Sequence, residues 1–341
     1  MAKNEFQKGI LSLIILVGVA PAQGAASLVR DGTAKAKRNE FRVAIAPLSE
    51  ALSMEPKNFE ALRWRGHCRN ALGMHEKAIE DYNAALGIDP KSAWVWCARG
   101  MARHHLGQAK HAIEDYTKSI ELDPSNHKAV EWRGFNRSLR GDYLGAYLDF
   151  TRAMKLDPEN SLVFHARGRA ATRLLAFDKA KDDFESALLL NAKSAESHAQ
   201  LGFIYVAEGD KKKALASLER AFDLDPKRLD YVRLWRYWLR GTLGKLDENA
   251  RDELPRAKWA GNLAKILLGE LTRAQLLGRL SGYNVTPEEL PARRCEAEFY
   301  LGLRSLLVNK PNRAREFFKE ALSFGNASQP EWRAAHRLSR R

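Results

Sequence analysis

A 34-residue lattice constrains this chain more than any other feature of its sequence. Gly32, Gly66, Gly100, Gly134, Gly168 and Gly202 stand 34 residues apart. Ala44, Ala78, Ala112, Ala146, Ala180 and Ala214 keep the same period. A third register holds a large ring or a leucine: Leu48, Tyr82, Tyr116, Phe150, Phe184 and Leu218. A fourth holds Pro56, Pro90, Pro124, Pro158 and Pro226, with Ala192 in the gap. Such a period marks a repeat architecture. Each unit reads as two antiparallel helices. The glycine of helix A and the alanine of helix B let the two backbones come close, and the ring fills the space beside them. The proline ends helix B, because it lacks an N–H and disfavours α geometry in the residue before it.

Two further registers vary together. Arginine occupies position 7 as Arg65, Arg99, Arg133 and Arg167, and aspartate occupies position 23 as Asp81, Asp115, Asp149 and Asp183. In the next unit both are lost, as Leu201 and Ser217. The paired loss predicts a guanidinium–carboxylate bridge between helix A and helix B inside each of the four units. A ladder of arginines for a ligand is the alternative reading.

Taken together, the small, small, aromatic and proline positions resemble the tetratricopeptide-repeat (TPR) family. The resemblance covers 25–228, in units 25–58, 59–92, 93–126, 127–160, 161–194 and 195–228. It implies an all-α fold, a right-handed α-solenoid built as a superhelix of helix-turn-helix repeats. One unit cannot bury its own apolar face, so neighbours stack and share a core.

After Pro226 the lattice breaks. Residues 229–294 carry helical runs without the signature, and degenerate helical repeats are expected there. Trp235, Trp238, Trp259, Leu263 and Leu267 recur at roughly helical spacing and read as core. A repeat returns at 295–328, with Gly302, Ala314, Phe318 and Ala321 at the expected offsets. This run is similar to the last repeat of periplasmic bacterial TPR proteins, including the NlpI-type lipoproteins, which are adaptors for envelope proteases and cell-wall hydrolases. The lipid-attachment cysteine of those lipoproteins has no counterpart here. Residues 329–341, with Arg333, Arg337, Arg340 and Arg341, read as a basic capping helix or tail.

The N-terminus reads as a secretory signal over 1–24. Lys3 and Lys8 precede an apolar or small run from Ile10 to Ala20, and Ala20-Pro21-Ala22 or Ala22-Gln23-Gly24 supplies small residues for cleavage. An uncleaved membrane-surface anchor is the alternative. The expected location is therefore periplasmic or secreted; the alternatives are membrane-associated and cytoplasmic. Three cysteines, Cys68, Cys97 and Cys295, are too few for a disulfide framework and match no zinc spacing. The net charge is +14, and residues 228–341 hold 22 Lys and Arg against 13 Asp and Glu.

In such a solenoid helix A lines the groove, chiefly at positions 2, 5, 9 and 12. The first full set is Glu60, Arg63, His67 and Asn70. The later units supply Trp94, Cys97, Met101 and His104, then Lys128, Glu131, Phe135 and Ser138, then Leu162, His165, Arg169 and Thr172. Position 6 adds Trp64 and Trp132. Aromatic, methionine and arginine side chains are the types that anchor protein interfaces. The chaperone-binding members of the family clamp a terminal carboxylate at positions that read here as Arg63, His67, Ala98, Lys128 and Trp132. Both asparagines of that clamp are missing. Four groove histidines, His67, His104, His105 and His165, have no cysteine or carboxylate to complete a metal site, and no cofactor is expected. No phosphate loop, zinc-protease motif or nucleophile elbow occurs, so an enzyme is not expected. Basic residues are interspersed with acidic ones, which argues against nucleic acid. The expected function is a protein–protein interaction scaffold or adaptor that holds a partner peptide or helix in the groove; a homodimer is compatible with this. The alternative is an adaptor whose basic C-terminal third binds an anionic partner such as lipid head groups, a cell-wall polymer or nucleic acid.

Overall fold

The computed structural model describes residues 24–226, 230–256, 258–280, 285–324, 334–336 and 338–339. The expected signal segment before Gly24 and most of the basic tail, including Arg333, Arg337, Arg340 and Arg341, lie outside these residues. Every regular element among the described residues is an α-helix. The chain divides into two compact units, 1–140 and 141–341. Consecutive helices pair into hairpins, as in a TPR solenoid.

Unit 1 holds α1 (Ala25–Lys37), α2 (Phe41–Met54), α3 (Phe59–Ala71), α4 (His75–Ile88), α5 (Ala93–His105), α6 (Ala109–Leu122) and α7 (His127–Leu139). Helices α1, α3, α5 and α7 are the A-helices. A fifth register starts α3, α5 and α7. The side chains of Asn58, Ser92 and Asn126 accept from the backbone N–H three residues on, and so cap these helices. A sixth register ends the A-helices. Gly73 and Gly107 turn the chain at φ 77° and 71°, and Asn39 does the same at φ 63°. These left-handed turns suit glycine and asparagine.

The spacing of helix A from helix B is set by glycine. A Cβ placed on Gly66 would sit 2.8 Å from a ring carbon of Tyr82, and one on Gly100 would sit 2.9 Å from Tyr116. In unit 2, one on Gly168 would sit 2.9 Å from Phe184. Tyr82, Tyr116, Phe150 and Phe184 are fully buried, and burial of such a ring is worth roughly 1.5–3 kcal/mol.

The residues one place before each glycine and each ring form the bridge. Arg65 Nη2 and Nε donate to the Asp81 carboxylate at 2.7 and 3.1 Å. Arg99 meets Asp115 in the same fork at 2.7 and 3.0 Å, and Arg167 meets Asp183 at 2.5 and 3.0 Å. A second arginine joins from the next turn of helix A in the α3–α4 and α5–α6 hairpins: Arg69 reaches Asp81 at 2.8 Å and Arg103 reaches Asp115 at 2.9 Å. The free corner of each guanidinium points to the preceding helix B. Arg65 donates to Ser49, Arg99 to Asn83, Arg133 to Thr117 and Arg167 to Thr151. Arg133 belongs to unit 1 and Asp149, which is buried, to unit 2.

Unit 2 holds α8 (Tyr143–Leu156), α9 (Ser161–Arg173), α10 (Phe177–Leu190), α11 (Ala195–Glu208) and α12 (Lys211–Leu224), then α13 (Asp230–Thr242), α14 (Lys258–Leu268), α15 (Arg273–Leu280), α16 (Leu290–Leu307) and α17 (Pro311–Ser323). Leu175 takes the turn position filled by glycine in four other repeats, at Gly73, Gly107, Gly141 and Gly209, with φ 61°. Helix α16 contacts α13, α14, α15 and α17 at once. Its central residues, Cys295 to Leu303, are all buried. Around it Trp235, Trp238, Leu263, Phe299, Tyr300 and Phe318 form one core. Two acids of α16 are carried into that core with partners, as burial of charge requires. Glu296 accepts from Trp259 Nε1 at 2.5 Å, Tyr231 at 3.2 Å and Arg293 at 3.2 Å. Glu298 pairs with Arg273 at 2.6 Å. Burial pushes both carboxyls above their ordinary range.

Asp115 is almost wholly buried against two guanidiniums. Asp115→Ala is therefore expected to destabilise the protein by about 3–5 kcal/mol, because both arginines lose their partner. Asp183, where Ala171 takes the place of the second arginine, faces Arg167 alone, and burial already pushes its carboxyl up. Asp183→Ala should cost less. Urea melts of the two variants check the order.

Candidate partner-binding face

The side of the A-helices that faces away from the B-helices carries the aromatic residues. In unit 1 these come from α3, α5 and α7, one turn of each. Trp64 and Trp94 lie 6.2 Å apart between ring centroids. His67 sits among three rings, at 5.6 Å from Phe41, 5.6 Å from Trp64 and 5.8 Å from Trp94. Trp94 is the most open of these rings, at 39% exposed. The Arg63 guanidinium lies over both tryptophans, at 5.3 and 5.2 Å. Its Nη2 pairs with Glu60 at 3.0 Å, and the Trp64 indole N–H donates to the same carboxylate at 3.2 Å. Lys37 reaches in from α1 and lies 5.8 Å over Trp64. Burial, and then the charge of Arg63, hold His67 below the usual histidine range.

A second cluster lies toward α7. His104 is 4.8 Å from Trp132, and Trp132 is 5.7 Å from Phe135. Asn136 is fully buried beneath them. Its Nδ2 donates to the Trp132 carbonyl at 2.8 Å, so its Oδ1 faces His104 Nδ1 at 3.1 Å. His104 Nδ1 therefore carries the proton. His105 turns the other way and stacks on His75 from α4, with centroids 4.7 Å apart. Met101 is half-buried and Lys128 is exposed.

The structure thus brings Arg63, Trp64, His67 and Trp94 together, and separately His104, Trp132 and Phe135. Cys97 and Thr172 stand apart from the expected lining. Cys97 is buried, and Thr172 is buried with its hydroxyl turned to the Gly168 carbonyl. Lys37, Glu60 and Asn136 complete the clusters. Lys37 escaped notice because it belongs to the hairpin before, and Asn136 because it sits one place beyond the expected position. The arginines of the 34-residue register point to the hairpin interior rather than to this face.

In unit 2, His165 and Arg169 line a cleft of roughly 300 Å³ with Glu196, Gln200, Phe203 and Tyr231. His165 Nδ1 contacts the Ser197 hydroxyl at 2.8 Å, and its Nε2 lies 3.4 Å from Glu196. Burial lowers the affinity of this ring for a proton; Glu196 opposes that effect and Arg169 adds to it.

Cys68 and Cys97 are held as neutral thiols. Burial pushes Cys68 up to about 11 and Cys97 up to about 12. A thiol reagent acts on the thiolate, so the native protein at about pH 8 should show no fast-reacting cysteine. A chromogenic disulfide reagent, with and without denaturant, reads this directly.

The comparisons agree with the helical-repeat fold. Tetratricopeptide-repeat profiles match residues 30–93, 93–126 and 195–228. Among solved structures, PilF of Pseudomonas aeruginosa is 17% identical at a TM-score of 0.54, and the match covers 61% of this chain and 94% of that one. PilW, a type IV pilus biogenesis factor, is 20% identical at a TM-score of 0.51, over 60% of this chain and 94% of its own. YrrB, a TPR protein with an unusual peptide-binding site, is 17% identical at a TM-score of 0.50, over 59% and 100%. At these identities the likeness is one of fold. The repeat profiles, the 34-residue registers and the glycine-on-ring hairpins together show that this chain carries tetratricopeptide repeats.

Proposed function

We propose that this chain is an interaction scaffold that holds an extended segment or helix of another protein on the A-helix face of unit 1. The observation that carries the reading is the row of rings across successive A-helices, with Trp64 and Trp94 6.2 Å apart and Trp132 packed on His104 at 4.8 Å. Large rings anchor interfaces because they bury much area for little conformational entropy, and hot spots favour Trp and Arg. Trp64, Trp94, Met101, Trp132 and Phe135 are the proposed anchors, and Arg63 and Lys128 the polar contacts. The peptide-binding site named for YrrB is consistent with this use of the fold. We place the scaffold outside the cytoplasm, in the periplasm or secreted, on the strength of the basic n-region and apolar run at its N-terminus.

The basic last third gives less support to an anionic partner. Arg236 and Arg240 pair with Glu253, Arg256 with Asp252, Arg273 with Glu298 and Arg293 with Glu296. These five arginines are thus already engaged by acids of the same chain.

The test is retention of partners from an envelope extract by the full chain and by Trp64→Ala/Trp132→Ala, washed at low and at raised salt. A partner kept in salt and lost by the variant supports the reading, since contacts through rings are screened little. Partners that ignore the variant and are stripped by salt would move the function to the basic third. Circular dichroism should show the variant still helical.

A further inference from the structure

The charge around the unit 1 face is one-sided. Lys37 stands over Trp64. Arg63 lies between Trp64 and Trp94, and its Nε is buried without a hydrogen-bond partner. Lys128, from α7, is exposed and close enough for its charge to act on the Cys97 thiol. The acids of the face are already engaged. Glu60 is taken by Arg63 and by the Trp64 indole, and Glu131 has a partner of its own.

The His67 imidazole adds a charge that neutral solution does not use. His67 is faced by Phe41 from α2, by Trp94 from α5 and by Trp64 and Arg63 from its own helix. His104 is faced by Asn136 and Trp132 from α7 and by its neighbour His105. His105 is faced by His75 from α4, whose Nδ1 lies 2.7 Å from Asn70 Oδ1. No carboxylate is among these described contacts. Burial and neighbouring positive charge lower the proton affinity of His67 and His105. For a histidine depressed in the folded state, stability is full above its unfolded range and is lost as pH falls through it. The empty face therefore resists protonation, and an anion laid against it relieves that resistance. By reciprocity, a segment that favours the charged His67 ring is itself bound more tightly when protons are plentiful.

We propose, resting on the partner-binding reading of this face, that unit 1 takes a carboxylate-rich segment of its partner along α3, α5 and α7, and that protonation of His67, which sits among the rings of the face, tightens the grip in mildly acidic solution. The cations and the buried donor of Arg63 bind the carboxylates. The rings of Trp64, Trp94 and Trp132 hold the residues between them. At neutral pH the face offers Lys37, Arg63 and Lys128 alone, and the complex is looser.

The experiment uses the full chain and two short labelled probe peptides. One alternates Asp and Glu with Leu and Trp; the other replaces each acid by Asn or Gln. Binding is read by fluorescence anisotropy at about pH 5.5 and about pH 7.5, values that bracket the histidine range while Asp and Glu stay ionised. The acidic probe should bind roughly tenfold or more tightly at the lower pH, as uptake of about one proton requires. The amide probe should show no such gain. His67→Gln should flatten the pH response of the acidic probe. Equal binding of the two probes, a pH response that survives in the histidine variant, or no binding of the acidic probe at either pH would overturn the proposal. A flat response that is still lost in Trp64→Ala/Trp132→Ala would overturn the histidine coupling and keep the face. Binding untouched by the tryptophan variant would overturn the face itself.

Discussion

The distance between helix A and helix B of a hairpin is set where a glycine meets a ring or, at Gly32 and Gly202, a leucine. Gly100 leaves no room for a methyl group against Tyr116, and Gly66 and Gly168 stand the same way to Tyr82 and Phe184. That contact also fixes the register. Arg99 and Asp115 each precede the touching residues by one place, so closing the glycine onto the ring brings the guanidinium and the carboxylate into the same slot. A hairpin held farther apart would leave a buried charge without a partner, which costs far more than a surface pair could return.

From this contact the stacking follows. Each bridging guanidinium has one corner left over and turns it to the helix before, at Ser49, Asn83, Thr117 or Thr151. The bridge therefore ties a hairpin to itself and to its neighbour. Where the arginine and aspartate give way to Leu201 and Ser217, the hairpin of α11 and α12 relies on apolar burial, with Leu201, Ile204 and Leu218 in the core. Beyond it the repeat is replaced by a tryptophan-rich bundle around α16. With its inner side occupied by glycine, arginine and ring contacts, an A-helix has its other side left for Trp64, Trp94 and Trp132.

Period and residue type made the hairpins legible. A glycine, an alanine, a ring and a proline at fixed offsets leave few other ways to fold, and the joint loss at Leu201 and Ser217 singled out the bridge. Three features were harder to read. The second arginine on the aspartate, the hydroxyl at the guanidinium corner and the Asn or Ser cap all lie on the same 34-residue lattice, but their types vary or recur elsewhere. The aromatic face was legible as positions, yet its clusters depend on side-chain direction. Lys37 reaches across from another hairpin, and Asn136 lies beneath the rings rather than beside them. The last third was least legible. Helix α16 packs on four other helices at once, and a periodicity argument foresees only the neighbours that a lattice supplies.

The glycine contact is tested most directly by two substitutions of the same kind. Gly87 also lies in a helix, but a Cβ there would meet nothing within 4 Å. Helix propensity alone favours alanine at both sites, by up to about 1 kcal/mol. We expect Gly87→Ala to raise the midpoint of urea unfolding and Gly100→Ala to lower it, because the new methyl must displace the Tyr116 ring. If Gly100→Ala instead stabilises the protein as Gly87→Ala does, the contact between glycine and ring does not set the spacing of the hairpin.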